Sequence, residues 1–147
     1  MPDVIRHWRM PVKTVKLGPK FGVKDAMHPN GHRGTDFNGF AANEPLLAVA
    51  DGMSVVMNKW SDALGNVLVL QVGNRFFGYC HMIHPSPLKI GDKVNSGAVV
   101  GHAGTTGSAS TGVHLHLTLS DNVEGVFSGT VEDAYAFLVA KIAAEKK

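Results

Sequence analysis

The sequence predicts a mainly β fold: a compact antiparallel sheet closed by one C-terminal helix, in a single domain of 147 residues. Three observations carry that expectation. Short runs rich in β-branched and aromatic residues recur between glycine turns, and glycine supplies 17 residues, well above its usual share of about 7%. Gly73-Asn74, standing between two such runs, is a two-residue hairpin signal. A helical period appears only near the C-terminus, whereas residues 113–119 alternate strictly between apolar and polar.

Strands are expected at 46–50, 53–57, 67–72, 76–82, 98–101 and 113–119, with the third and fourth paired through Gly73-Asn74. The stretch 90–104, IGDKVNSGAVVGHAG, keeps a turn-strand-turn rhythm without a helical period. The helix covers about 131–145, where Val131, Tyr135, Leu138, Val139 and Ile142 share the face that packs on the sheet. Thr130 with Asp133 reads as a capping box, and Lys141, Lys146 and Lys147 lie where the macrodipole favours cations. No linker, repeat or second module interrupts residues 1–147, so one domain is expected, with its core over about 21–119.

Composition excludes several classes of function. With 14 basic and 12 acidic residues the formal charge is +2, and no run of Lys or Arg supplies a nucleic-acid footprint. The longest apolar stretch, 134–140, is far below the roughly 18 residues that span a bilayer, so membrane insertion is not expected. The first 17 residues lack the apolar block of about 7–15 residues that an export signal needs, which predicts synthesis in the cytoplasm. The single cysteine, Cys80, rules out an intrachain disulfide. It lies in a β-like run without the cation or helix N-terminus that activates a thiol, and so reads as a buried, inert residue and not the nucleophile of a cysteine peptidase.

Chemistry concentrates in the histidines. In 113–119, Val113, Leu115, Leu117 and Leu119 fall on one face of a strand and His114, His116 and Thr118 on the other. Two imidazoles on one face are a poor use of core positions and a good use of metal or catalytic ones. His32 and Asp36 stand four residues apart, about 13 Å on an extended strand, too far to share an ion whose ligands lie at about 2.1 Å. The segment must bend, which Gly31 and Gly34 permit. His28 is a rival ligand by spacing, but Pro29-Asn30-Gly31 reads as a turn that leaves it on the surface. Alternation puts Tyr79 and His81 on one face and Cys80 on the other. His32, Asp36 and one of His114 or His116 would offer two nitrogens and one oxygen to zinc, the three-ligand complement of a catalytic site, and no His-Glu-x-x-His is present.

Five motifs then occur in order: His32-x3-Asp36; PLLAVADG at 45–52; Tyr79-Cys80-His81-Met82; IGDKVNSG at 90–97; and Gly104-Thr105-Thr106-Gly107 leading to Gly112-Val113-His114-Leu115-His116. Together they resemble the lysostaphin-like, or LytM-type, zinc metallopeptidases over about residues 21–119. The resemblance implies a compact antiparallel fold of the duplicated hybrid motif type and one zinc ion (Zn2+) per chain. It implies His32, Asp36 and His116 as ligands, His81 and His114 as catalytic residues, and Tyr79, Thr111 and Gly112 as substrate-binding. Choosing His116 over His114 as the ligand comes from the resemblance alone. The implied substrate is a peptide of bacterial peptidoglycan; no protein partner is inferred. Departures at Ala42-Asn43-Glu44, in the slightly long 108–111 loop and at Val113 are expected in groove walls, where they bear on substrate preference. A catalytic domain without an export signal is similar to single-domain bacteriophage endolysins, which are made in the host cytoplasm and reach the wall through a holin lesion. Competing readings are a bacterial wall-remodelling enzyme whose leader has been removed, a metal-free relative acting as a wall-binding or activator module, and a biotinyl or lipoyl carrier domain. The second need not keep five site residues together, and the third needs flanking residues that Lys93 lacks.

Overall fold

The computed structural model describes residues 4–25, 28 and 30–146. Among the described residues eight strands form: β1 (Thr35–Phe37), β2 (Pro45–Leu47), β3 (Met53–Ser61), β4 (Gly65–Val72), β5 (Arg75–Met82), β6 (Lys93–Val94), β7 (Val99–His102) and β8 (Leu115–Ser120). A 3-10 turn at Val123–Val126 and helix α1 (Ala134–Glu145) complete the chain. Six strands make one antiparallel sheet in the order β1-β8-β5-β4-β3-β6, and β2 and β7 form a second, two-stranded sheet.

The β4–β5 hairpin closes where Val72 pairs with Arg75, so Gly73 and Asn74 are its two loop residues, and Gly73 supplies the positive φ of 58° that the tight turn needs. β1 and β6 are too short, at three and two residues, to show a period in sequence. Expected strand 46–50 is shorter than predicted: β2 pairs with β7 only over Pro45–Leu47, with a register shift between Leu46 and Leu47.

Alternation along the long strands sends Val55, Leu68, Leu70, Phe77, Tyr79, Leu115, Leu117 and Leu119 to one face, all essentially inaccessible to water. Leu46 and Val100 from the small sheet, and Ala134 and Leu138 from α1, cover that face. The helix begins later than expected. Its N-cap is Asp133, whose carboxylate accepts from Ala136 N at 3.0 Å, so Thr130 is not part of the cap. Its buried stripe is Ala134 and Leu138, flanked by Tyr135, Phe137 and Ile142, while Val139 is exposed and Val131 precedes the helix. Lys146 is the C-cap, no basic residue occupies the last turn, and the expected contribution of Lys147 lies outside the described residues.

The opposite face of the sheet holds a smaller apolar cluster of Val67, Val69, Cys80 and Val126. Beside it the polar residues of β8 and β1 meet the end of β5, which is where the histidines gather.

Candidate metal centre

β1 and β8 pair with Asp36 directly opposite His116, so both side chains rise from the same face. His32 reaches them from the preceding turn, held by His32 N donating to Val23 O at 2.8 Å and by Gly22 N donating to His32 O at 2.7 Å. The bend demanded by the sequence is there: His32 Nε2 lies 3.2 Å from Asp36 Oδ1. Gly34 makes this approach possible, because a Cβ there would sit 2.6 Å from Leu117 O and 2.8 Å from His116 Cε1. The expected turn at Pro29 lies outside the described residues.

Three donor atoms converge. His116 Nδ1 is 2.9 Å from Asp36 Oδ1 and 3.1 Å from His32 Nε2, which closes a triangle with the 3.2 Å edge. All three residues are buried, and they are the group of metal-ligating type found among the described residues. Tetrahedral zinc with ligands at about 2.1 Å spaces them by about 3.4 Å, so the triangle fits such an ion with a small expansion. The His32 Nδ1–H donates to Lys20 O at 3.3 Å, which orients the ring and leaves Nε2 as its ligating atom. Burial would raise the Asp36 carboxyl, but the His116 and His32 imidazoles outweigh it and hold the group well below the usual carboxylate range. Burial also drives the two histidines towards neutrality. It prevails at His116, whose pKa is lowered, whereas hydrogen bonding to Asp36 prevails at His32, whose pKa is raised.

Two further histidines stand on the same cleft. The ring of His81 is 4.8 Å from that of His114 and 6.0 Å from that of His116. His81 Nδ1–H donates to Thr106 O at 2.6 Å, and His114 Nδ1–H to Gly112 O at 2.8 Å, so each keeps Nε2 for the cleft. His114 Nε2 lies 3.8 Å from Asp36 Oδ2. Burial pushes His81 down to about 4, which keeps it neutral at pH 7.

His81 reaches the cleft against the alternation. Leu68 faces Tyr79 and Asn66 faces Met82, so Cys80 and His81 share the place of Val67 across a bulge, with His81 at a φ of +62°. The left-handed backbone, unusual for a side-chain-bearing residue, turns the imidazole to the face of Cys80. Tyr79 is therefore separated from His81. It is fully buried in the main core with its hydroxyl donating to Leu47 O at 2.8 Å, which removes it from the groove wall where substrate contact was expected. Cys80 is buried as expected, and burial pushes its thiol far up.

The cleft encloses about 630 Å3. Thr111 and Gly112 line it, as do Val113 and Ala109, while 42–44 lie away from it, hydrogen-bonded to Ala103. His28 also lines it, half-buried, with its ring 4.6 Å from that of His32 and its Nδ1 3.0 Å from Asp25 Oδ1. Sequence reasoning missed Arg33, Val126 and Phe127 on the opposite wall. Arg33 at least stands inside the His32–Asp36 motif; Val126 and Phe127 carry no local signal.

The comparisons with known proteins agree with this geometry. The catalytic domain of the antimicrobial peptidase lysostaphin from Staphylococcus simulans superposes with a TM-score of 0.73 at 27% identity, covering 85% of this chain and 92% of that one. A zinc-containing peptidase from Vibrio cholerae gives 0.68 at 26% identity over 78% of this chain and 36% of its own. In sequence, the peptidoglycan DD-endopeptidase ShyA of Vibrio cholerae is 36% identical over 88 residues, 60% of this chain and 20% of the relative. An uncharacterized metalloprotease of Buchnera aphidicola is 36% identical over 86 residues, 58% of this chain and 22% of its own. The chain spans about a fifth of the length of these curated relatives. The family model for Peptidase family M23 matches residues 30–132, a span that contains the ligand triangle, both flanking histidines and the cleft wall beyond them, and the chain belongs to that family.

Proposed function

We propose that this chain is a zinc-dependent endopeptidase that hydrolyses peptide bonds of bacterial peptidoglycan, in stem or cross-bridge peptides. The observation that carries the reading is the triangle of His32 Nε2, Asp36 Oδ1 and His116 Nδ1 in an open cleft with two more histidines beside it. The substrate class is supported by the relative named as a peptidoglycan DD-endopeptidase.

In this reading His32, Asp36 and His116 hold the ion. Zinc bound there supplies a Lewis acid for the scissile carbonyl and lowers the pKa of an attacking water towards ~7. His81, neutral and fixed by Thr106 O, accepts the proton of that water at Nε2. The imidazolium formed at His81 returns that proton to the leaving amine, and His114, fixed in the same tautomer by Gly112 O, brings its own Nε2 to the reacting centre as a second acceptor that orients the water. Thr111 and Gly112 form the wall along which the peptide lies.

Purified protein incubated with bacterial walls and zinc is expected to clear turbidity and release amines, and a chelator to stop both. Release that survives the chelator overturns the metal mechanism. Zinc-loaded protein that releases nothing overturns the substrate.

The finer setting, a phage enzyme made in the host cytoplasm and acting on the wall after holin-dependent release, rests on the resemblance to single-domain endolysins. Expression inside a bacterium with and without a holin tests it: lysis that needs the holin supports the setting, and lysis indifferent to it does not.

A further inference from the structure

A second cavity shares no residue with the metal cleft. It opens where the N-terminal segment, the tip of the β4–β5 hairpin and α1 meet, and it encloses about 280 Å3. Arg6 and Trp8, residues 72–75, and Phe137 and Lys141 line it. The core fixes its base: Trp8 meets Phe137 edge-on at 5.4 Å and Phe77 at 6.2 Å, and Trp8 and Phe137 both pack against the main cluster.

Three cations face this small space. Lys141, one helical turn beyond Phe137, sets its Nζ 5.4 Å over that ring, and Arg75 sets its Cζ 5.9 Å over the same ring. Arg6 is the third. Among the described residues no acid lines the cavity, and neither the Arg6 guanidinium nor the Lys141 ammonium makes an ion pair. The acids bonded to this part of the fold are committed. Glu132 meets Arg75 Nε at 2.9 Å, Glu145 accepts from the backbone N–H groups of Arg6, His7 and Trp8, and Asp51 takes His7 and Ser96 N. Each guanidinium spends one Nη on a neutral acceptor, Arg6 Nη1 on Asp51 O at 3.3 Å and Arg75 Nη1 on Asn74 Oδ1 at 3.2 Å, and keeps its other Nη.

Like charges gathered around one cavity repel each other, and an anion seated among them turns that repulsion into attraction. The donors arrive from three separate elements. Such an arrangement suits a tetrahedral oxyanion, which has acceptors on every side, better than a flat carboxylate, which one guanidinium satisfies alone. We propose that Arg6, Arg75 and Lys141 form a binding site for the phosphate group of a phosphate ester, separate from the metal centre and independent of the peptidase reading. Lys141 is exposed and Arg6 and Arg75 half-buried, so each charge contributes a few-fold and binding is salt-sensitive.

Trp8 reports on the site directly. The chain has two tryptophans, and Trp60→Phe leaves Trp8 as the single indole. In zinc-loaded protein with that change, glycerol 3-phosphate and the diester glycerophosphoglycerol are titrated against Trp8 fluorescence at constant ionic strength, with acetate and chloride as controls. A saturable change is expected with the two phosphates, at an affinity that treatment with a chelator leaves unaltered. Tighter binding of the monoester points to a small phosphorylated ligand, and tighter binding of the diester to a linkage within a polymer; each supports the site. Lys141→Met and Arg6→Met should each weaken binding by about 2–5-fold and together remove saturation. Lys89→Met, at an exposed lysine elsewhere, should change nothing. No saturable change, an equal response to acetate or chloride, an affinity that survives the double variant, or one that disappears with the zinc would each overturn the proposal and leave the endopeptidase reading untouched.

Discussion

β8 and β5 deliver histidines to one cleft by different routes. On β8 plain alternation does it: His116 points to the cleft because Leu115, Leu117 and Leu119 point to the core. On β5 alternation would have buried His81 beside Tyr79, and a bulge with a left-handed residue turns it out. The first route makes the ligand a consequence of folding the core. The second makes the neighbouring histidine depend on supports outside the strand, chiefly Thr106, whose carbonyl takes its Nδ1–H. Ligation and turnover should therefore be separable by mutation.

The largest separation is expected between His116→Ala and His81→Ala. Removing one of three ligands should abolish stoichiometric zinc and all activity. Removing His81 should keep the zinc and cost about 10²–10⁴-fold in kcat, the usual range for a lost acid-base group. His81→Asn, which accepts the left-handed backbone more readily than alanine, guards against a folding artefact. Elemental analysis beside kinetics decides it; equal zinc contents and equal rates in the two variants would contradict the assignment.

A subtler pair of lesions strikes the supports. A Cβ at Gly34 would meet His116 Cε1 at 2.8 Å, and one at Gly65 would meet the Thr106 hydroxyl and, at 2.5–2.6 Å, its backbone, at a φ of +71°. Both substitutions should destabilise, by about 1–3 kcal/mol. Gly34→Ala is expected to weaken zinc retention in a competition with a chromogenic chelator. Gly65→Ala is expected to retain zinc and lose kcat, because it displaces the loop that orients His81. Loss of zinc from Gly65→Ala would show the two routes to be coupled.

The same contrast explains what was legible in the sequence. Alternation over 115–119, the Gly73-Asn74 turn and the need for a bend between His32 and Asp36 are local and appear as read, whereas Val113 and His114, expected in the same strand, lie just before it and both line the cleft. The turning of His81 to the cleft and away from Tyr79 depends on a register slip against β4, which no residue in 76–82 announces. β1 and β6 exist only through their partners, and the Val126–Phe127 wall is brought to the cleft by Arg33, some 90 positions earlier in the chain. The helix face was misjudged at Val139 because spacing defines a stripe but not the angle at which the sheet meets it.

An exposed histidine-carboxylate pair far from the cleft calibrates the buried one. His7 Nδ1 lies 2.5 Å from Asp51 Oδ2, comparable to the 2.9 Å between His116 and Asp36, but in solvent. The hydrogen bond to Asp51 and its charge raise His7, with Glu145 adding to the effect. The bond from His7, helped by Ser96 N and by Arg6, lowers Asp51. A raised histidine stabilises fully below its ordinary value of about 6.5 and loses that contribution as the pH rises through the raised value. A lowered carboxyl stabilises above about 4 and loses it as the pH falls. The pair should therefore help most between about pH 4 and 6.5. The difference in denaturation midpoint between the unaltered protein and His7→Gln should be largest near pH 5 and vanish near pH 9. It should also shrink with salt, because both groups face water. A difference that persists at pH 9 would mean that the neutral imidazole, through its hydrogen bond to Asp51 and its packing, and not its charge, carries the contribution.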